Sequence, residues 1–392
     1  MAGSNHSFLW GAATSAHQTE GHNIHSDWWQ WEKKNPHQPK SGVACDSWNR
    51  WREDLALAKS LGHTAYRFSV EWSRIEPQPG QFNRQAIIHY REILEELHRL
   101  GMKSFVTLHH FTNPAWVAEQ GGWVSSRTPE FFGRYVAYVA QHLGELVDFW
   151  IPINEPTVYA SQSYWHAAWP PQERSFWHYS WVLRQLAYGH KLAYRTIHRY
   201  FSEAQVGGAH NLIPFIPVTD TFLDRLVCHV SSWRYNHTFF NLTGETHDFI
   251  GVNYYRPVFF HVRMWPPKIV AVHKEGTYSD IDWMVYPEGL TRTLVDMKKY
   301  RLPMYITENG LADKDDNRRS EFIRSHLRAV EEAQRQGVDV RGYLHWSLLD
   351  NFEWDKGFGP RFGLIEVDYA TQKRTIRPSA YVYKAIIEQA RN

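Results

Sequence analysis

The sequence predicts an α/β fold, a single (β/α)8 TIM barrel taking in residues 1–392 as one domain, and three observations lead there. Eight short runs of apolar and β-branched residues alternate with longer stretches of helical period, the pattern of repeated βα units. No Pro-, Ser- or Gly-rich linker and no low-complexity tract divides that alternation. A length of 392 residues suggests two or three domains, but α/β barrels well past two hundred residues hold together as one, and 43% hydrophobic residues can fill a large core.

The eight runs are residues 8–13, 64–68, 103–109, 148–153, 205–209, 248–253, 303–307 and 342–346. Between them, Trp51, Leu55, Ala58 and Leu61 recur at helical spacing, as do Ile87, Tyr90, Leu94 and Leu97, with Gly62 and Gly101 following as C-caps. Phe131, Tyr135, Tyr138 and His142 form another stripe. Two more are Leu290, Leu294 and Met297, and Phe322, Ile323, Leu327 and Val330. All are read as inward faces of outer helices, aromatics and His142 included, because amphipathic stripes are far commoner than cofactor-binding ones. The charged cluster 313–319 reads as a solvated loop ahead of a helix.

Composition excludes several function classes. A formal charge of +2, from 43 basic and 41 acidic residues, gives no field to gather nucleic acid or anionic lipid, so neither nucleic acid nor a membrane is expected as partner. No stretch is apolar for long enough to span a bilayer. Residues 1–7 are short and polar, with no basic segment ahead of the first run, so no signal peptide is read and a cytoplasmic location is expected. Cys45 and Cys228 are too few for a disulfide scaffold, though enough for one bridge, and fit a reducing compartment best. Sequons at Asn5, Asn236 and Asn241 are read as chance matches. The 23 histidines contain no His-Glu-x-x-His or Cys/His ligand spacing, so neither metal nor other cofactor is expected. The 19 Trp, 21 Tyr and 21 Phe exceed the needs of one core, since indole and phenol rarely bury completely. Many should line a cleft. Flat aromatic faces suit the C–H faces of sugars, and the charge balance favours sugars over single-stranded nucleic acid.

A barrel carries its chemistry where the strand C-termini meet. Glu155, in Ile153-Asn154-Glu155-Pro156, directly follows the fourth run, and Glu308, in Ile306-Thr307-Glu308-Asn309-Gly310, directly follows the seventh. Glycoside hydrolysis needs such a pair, one carboxyl to protonate the departing oxygen and one to attack C1 or activate water. A lone Glu after a strand is ordinarily an exposed loop residue; the surrounding motifs argue otherwise here. The run from Phe8 to Gly21, Tyr66-Arg67-Phe68-Ser69 with Glu71-Trp72-Ser73-Arg74-Ile75, Asn154-Glu155-Pro156, Gly251-Val252-Asn253-Tyr254-Tyr255, Thr307-Glu308-Asn309-Gly310 and the run from Trp346 to Trp354 stand in one order at successive strand ends. Over essentially its whole length the chain resembles the family 1 glycoside hydrolases, the β-glucosidase family.

That resemblance implies a retaining β-glycosidase that hydrolyses β-glucosides and related small β-glycosides, with β-fucosides and β-galactosides as further candidates, by double displacement. It makes Glu155 the acid/base and Glu308 the nucleophile. Gln18, His110, Asn154 and Glu353 match the positions that bind glycone hydroxyls, Asn154 the 2-hydroxyl and Glu353 those at C4 and C6. Trp346 matches the platform under the sugar, Trp354 a further hydroxyl contact and Phe362 a wall of the pocket. Arg67 and Tyr255 match groups beside the nucleophile, and Asn253 lies in a supporting motif. Arg67 and the Tyr255 hydroxyl should favour an ionised Glu308, and Glu155, facing that anion, should keep its proton. His109, next to His110 on a strand, should point the opposite way. A glycosyl-transferring member and a sugar-binding protein without turnover are the alternatives, and the latter would more naturally have lost Glu155. Segments 211–247 and 258–287 look shorter than in most members, which suggests an open aglycone side, and Phe111 stands where tryptophan is more usual. Glu353 as a carboxylate should repel 6-phosphoglycosides, provided that Arg361 points away from the pocket.

Overall fold

The computed structural model describes residues 7–391. Eight parallel strands close into a barrel: β1 (Leu9–Ala13), β2 (Ala65–Ser69), β3 (Lys103–Thr107), β4 (Phe149–Ile151), β5 (Gln205–Asn211), β6 (Phe249–Tyr254), β7 (Met304–Asn309) and β8 (Val340–Trp346). Each strand pairs with its neighbour in this series, and β8 returns to β1 from Leu9↔Gly342 to Ala13↔Trp346. Every expected run is a strand, with ends displaced by no more than two residues.

Alternation along the strands builds two apolar layers. Ala65, Phe105, Ile151, Ala209, Phe249, Tyr305 and Leu344 form a cluster of their own, in which the Phe105 ring stacks on Phe149 at 4.2 Å and meets Tyr305 edge-on. Their sequence neighbours Val106, Trp150, Ile250 and Ile306 instead join the larger cluster under the helices. The smaller cluster is the packing inside the barrel. Two residues further along β2, β3, β7 and β8, roughly 7 Å nearer the C-terminal rim, the same side carries Arg67, Thr107, Thr307 and Trp346. An apolar plug thus gives way within one strand period to polar groups that form the floor of a site.

The helical stripes are buried as expected, except in the second half of one of them, where Tyr138 is half-buried. His142, in the last turn of the helix Thr128–Leu143, is exposed; its ring lies against Tyr138, and Nδ1 meets the Tyr138 carbonyl at 2.7 Å. Segment 313–319 also departs from expectation. Its middle, Lys314 and Asp315, is solvated, but Asp313 and Arg319 are buried. The Asp313 carboxylate accepts the backbone N–H groups of Arg318 and Arg319, unpaired donors at the start of the helix Arg319–Arg335.

Two features had no clear sequence signal. Phe215–Pro217, Val258–Met264 and Pro267–Ala271 form a three-stranded sheet from the segments after β5 and β6, and Ile365–Val367 pairs antiparallel with Arg374–Ile376. Both cysteines are free and buried. Asn236 is buried with its amide clamped on Ile213, and the Asn5 sequon lies outside the described residues. Among the described residues no helix is long and apolar enough to cross a membrane, and no cluster of three metal-ligating side chains occurs.

Strand closure makes Gly11 intolerant of any side chain. A Cβ on Gly11 would stand 2.0 Å from the carbonyl oxygen of Ala65, its partner on β2. Gly11→Ala should therefore cost about 2–3 kcal/mol of stability. Gly359→Ala, whose nearest neighbour would be the Lys356 oxygen at 3.7 Å, should be neutral. Urea unfolding of the two variants checks this, and equal midpoints would refute the close β1–β2 approach.

Candidate active site

A cavity of about 340 Å³ opens at the C-terminal rim of the barrel. Glu155 and Glu308 both reach it by departures from regular backbone. Glu155 follows β4 with φ +44°, a left-handed conformation that a non-glycine residue adopts at a cost of roughly 1–2 kcal/mol, and Pro156 then begins the helix Pro156–Tyr164. Glu308 lies within β7, not after it, where the register against β6 slips between Ile306 and Glu308. Such an irregularity redirects the side chain toward the cavity and leaves Thr307 on the inner face.

The floor is organised by Arg67, which is fully buried. Its Nη1 donates to Glu308 Oε1 at 2.5 Å and to the Thr307 carbonyl, Nη2 to Asn154 Oδ1 at 2.6 Å, and Nε to the Thr107 hydroxyl. The other Glu308 oxygen accepts the Tyr255 hydroxyl at 2.5 Å. Asn253 donates from Nδ2 to Glu155 Oε1 at 2.8 Å, and the Thr307 hydroxyl on its Oδ1 fixes the orientation of that amide. Asn154 Oδ1 accepts from both Arg67 and Asn253, so its amide nitrogen faces His110 and must donate to Nε2. His110 therefore carries its proton on Nδ1, where it has no protein partner, and burial followed by the Arg67 charge keeps the ring neutral. His109 points the other way, onto Asn113.

The two catalytic-type carboxyls have unlike surroundings. Burial and then repulsion by Glu308 push Glu155 up to about 8, against the hydrogen bond from Asn253. Burial raises Glu308 as well, but Arg67, then the Tyr255 hydroxyl, pull the other way, and its salt bridge makes it the member of the pair that ionises first. Glu353 is pinned by Gln18 Nε2 at 3.2 Å and is pushed up to about 8 by burial, then by Glu308 and Asp355. Where the sequence reading expects a carboxylate, these surroundings favour the protonated form of Glu353, which can donate as well as accept. The neighbouring Arg361 does point away, as expected, bonding Asp350 and lying 4.3 Å over the Tyr369 ring.

Of the residues singled out from the sequence, Gln18, His110, Asn154, Glu155, Tyr255, Glu308, Trp346, Glu353 and Trp354 line this one cavity. Arg67 and Asn253 stand beneath it. Phe362 is not a wall; it packs behind the lining, against Trp346, Tyr255 and Trp283. The sequence reading missed Asn211, at the end of β5, and Tyr235, which donates to it at 3.2 Å from the π-helical turn Trp233–His237. A longer fifth run would have found Asn211. Nothing periodic marks Tyr235 on that turn, or Ile281 and Trp283, which come from a loop. A neutral acid and a cation-held carboxylate facing one cavity can supply a proton and a nucleophile to the same bond.

The model for glycosyl hydrolase family 1 matches residues 4–244 and 240–392. Curated relatives include β-glucosidase A of Thermotoga maritima, 30% identical over 97% of each chain, and a β-galactosidase of Pyrococcus woesei, 30% identical over 97% of this chain and 96% of that one. A solved β-glycosidase from Pyrococcus horikoshii superposes with a TM-score of 0.92 at 39% identity, over 98% of this chain and 94% of that one. The two curated alignments run to 439 and 489 positions against 392 residues here, so those relatives carry segments that this chain lacks.

Removing Arg67 should expose how much the floor depends on it. Arg67→Met leaves a buried Glu308 without its cation, at a cost of about 3–5 kcal/mol at neutral pH. Without Arg67 the folded-state pKa of Glu308 rises further, and a raised folded pKa means that the neutral form is favoured and stability falls as pH rises through the interval between unfolded and folded values. The loss should therefore shrink on acidification to about pH 5. Denaturant unfolding at both pH values measures it; an equal loss at each would attribute the effect to packing alone.

Proposed function

Because the chain belongs to glycosyl hydrolase family 1, a family of retaining glycosidases, we propose that it hydrolyses small β-glucosides and, through the same pocket, related β-galactosides and β-fucosides, with Glu308 as nucleophile and Glu155 as acid/base. The observation that carries this reading is the asymmetry of the two carboxyls: Glu308 bonded to Arg67 and Tyr255, Glu155 bonded to an amide and pushed up to about 8. Glu308 attacks C1 while Glu155 gives its proton to the leaving oxygen. Esterification removes the Glu308 charge that raises Glu155, so Glu155 becomes a stronger acid and, now ionised, takes a proton from the incoming water. Tyr255, held protonated by burial and by Glu308, stays a donor throughout.

In this reading the sugar lies on Trp346. Gln18 and Glu353 take hydroxyls on one side, His110 offers its Nδ1–H, and Asn154 offers the 2-hydroxyl its remaining amide N–H. Trp354 adds a further contact. The aglycone lies between Asn211, Tyr235 and Trp283, a side left open by the short segments after β5 and β6. We read residues 1–392 as one catalytic unit; its two free buried thiols fit a cytoplasmic setting.

Glu308→Gly should abolish turnover while the fold persists. Glu155→Ala should lose far more activity on poor leaving groups than on activated aryl glycosides, regain turnover with azide, and form a β-glycosyl azide. The wild-type kcat/KM should fall above about pH 8, where Glu155 loses its proton, and the rescued variant should lack that limb. An α-configured azide product overturns retention, and an unchanged alkaline limb overturns the acid/base assignment.

The pocket should also reject a 6-phosphate. A phosphate beside Glu353 would enter a buried space next to the Glu308 anion, while Arg361 is engaged elsewhere and Lys356 is paired with Asp355. Desolvation without a cationic partner takes over much of the role that Glu353 charge alone was expected to play. The kcat/KM for an aryl β-glucoside should exceed that for its 6-phosphate by roughly tenfold or more; equal values would refute this placement of Glu353.

A further inference from the structure

The even charge of the whole chain conceals a local imbalance. Residues 165–274 hold eleven Lys and Arg against six Asp and Glu, a net +5, which leaves −3 on the rest. Exposed large hydrophobic residues concentrate in the same stretch: fourteen of the eighteen among the described residues lie between Trp165 and Ile269. Single exposed apolar residues need no explanation, but a concentration of them marks a contact surface.

Two helices carry it. In Phe222–Ser232 the usual polarity is inverted: Asp224 and Cys228 face inward, while Phe222, Leu226 and Val230, at i, i+4 and i+8, face solvent. The inward carboxylate has a structural task, accepting the Val262 amide at 2.7 Å and Thr219, which ties the helix to the three-stranded sheet. The outward apolar row has no such task. It continues into Trp233, 54% exposed. The longer helix Phe176–Tyr200 contains no Asp or Glu, and its outward line reads Trp177, Trp181, Arg184, Tyr188, Arg195 and Arg199, with Trp177 79% exposed. Arg234, next to Trp233, lies 5.6 Å over the Phe176 ring and joins the two helices into one face.

We propose that this face docks peripherally on an anionic lipid bilayer. Indole and phenol rings flanked by guanidinium groups, with no carboxylate on the longer helix, match the headgroup region, where the rings sit at the apolar boundary and the arginines meet phosphates. A second copy of the chain fits less well, because pairing the face with itself opposes one basic row to another. The surface adjoins the cavity: Tyr235, on the same π-helical turn as Trp233, lines it together with Arg256. A docked bilayer would lie beside the aglycone side. The whole-chain charge therefore misleads on this point, since an anionic surface responds to the local field within a Debye length.

The test is co-sedimentation of the full chain with phosphatidylcholine vesicles with and without phosphatidylglycerol. Partitioning should be roughly tenfold or more greater on the anionic vesicles and collapse in high salt. The triple variant Trp177→Ser, Phe222→Ser, Trp233→Ser should lose binding to both vesicles, while kcat/KM on a soluble aryl glucoside is unchanged. Arg184→Glu with Arg195→Glu should lose only the anionic preference, which keeps the proposal testable if the triple variant does not fold. Failure of the wild type to bind anionic vesicles, or equal binding to both kinds, overturns the proposal. So does a concentration-dependent dimer in sedimentation equilibrium that the surface variants abolish.

Discussion

A fully buried guanidinium must be matched by acceptors, and around Arg67 that requirement organises the floor of the site. Its donors reach Thr107 on β3, the Thr307 carbonyl and Glu308 on β7, and Asn154 after β4. One side chain on β2 thereby fixes three other segments of the barrel rim. The consequences propagate by donor and acceptor counting: with Asn154 Oδ1 occupied, its nitrogen faces His110 Nε2, and the His110 proton is forced onto Nδ1. Thr307 in turn orients Asn253, and Asn253 holds Glu155. Nucleophile and acid/base candidates are thus positioned by one connected network, in which a missing member leaves a buried polar group unpaired.

Three carboxyls around one cavity, Glu155 and Glu308 buried and Glu353 half-buried, are disfavoured from ionising together. Arg67 compensates one charge, on Glu308, and repulsion from that anion adds to burial in raising both Glu155 and Glu353 to about 8. The same electrostatics that keep a proton on Glu155 make Glu353 a hydroxyl-binding group able to donate. The linkage works against stability at high pH: both groups favour the neutral form in the fold, so stability that they contribute below the ordinary carboxylate range is lost as pH approaches 8. Proton retention for catalysis and sensitivity to base have one cause.

The abundance of aromatic residues resolves into three populations. Trp346, Trp354, Trp169 and Trp283 line the cavity, as a cleft for sugars would require. Trp28, Trp72, Trp123 and Trp150 are fully buried structural members, contrary to the tendency of indole to remain partly exposed. Trp177, Trp233 and Trp265 are among the most exposed side chains of their size. Composition counts these together, whereas burial separates sugar binding, packing and the outer face.

Alternation and motif order were enough to determine the barrel, its eight strands and the two glutamates, because strand and helix periods are local and a barrel puts its chemistry at strand ends. The remaining seven cavity-lining residues were legible only through the family resemblance, since Gln18 lies on the helix after β1 and Glu353 and Trp354 well past the end of β8. The tertiary structure alone decided the rest. Phe362 moved from pocket wall to support, because a wall is defined by what packs on its other side. His142 left the core, because a helical stripe does not reveal where the neighbouring element ends. Tyr235 joined the site from a π-helical turn, and the Glu353 carboxyl was pushed up, because burial and the charges facing it come from distant parts of the chain. Sequence patterns record which face of each element is buried; the charge state and company of a side chain depend on long-range contacts that exist only once the barrel has closed.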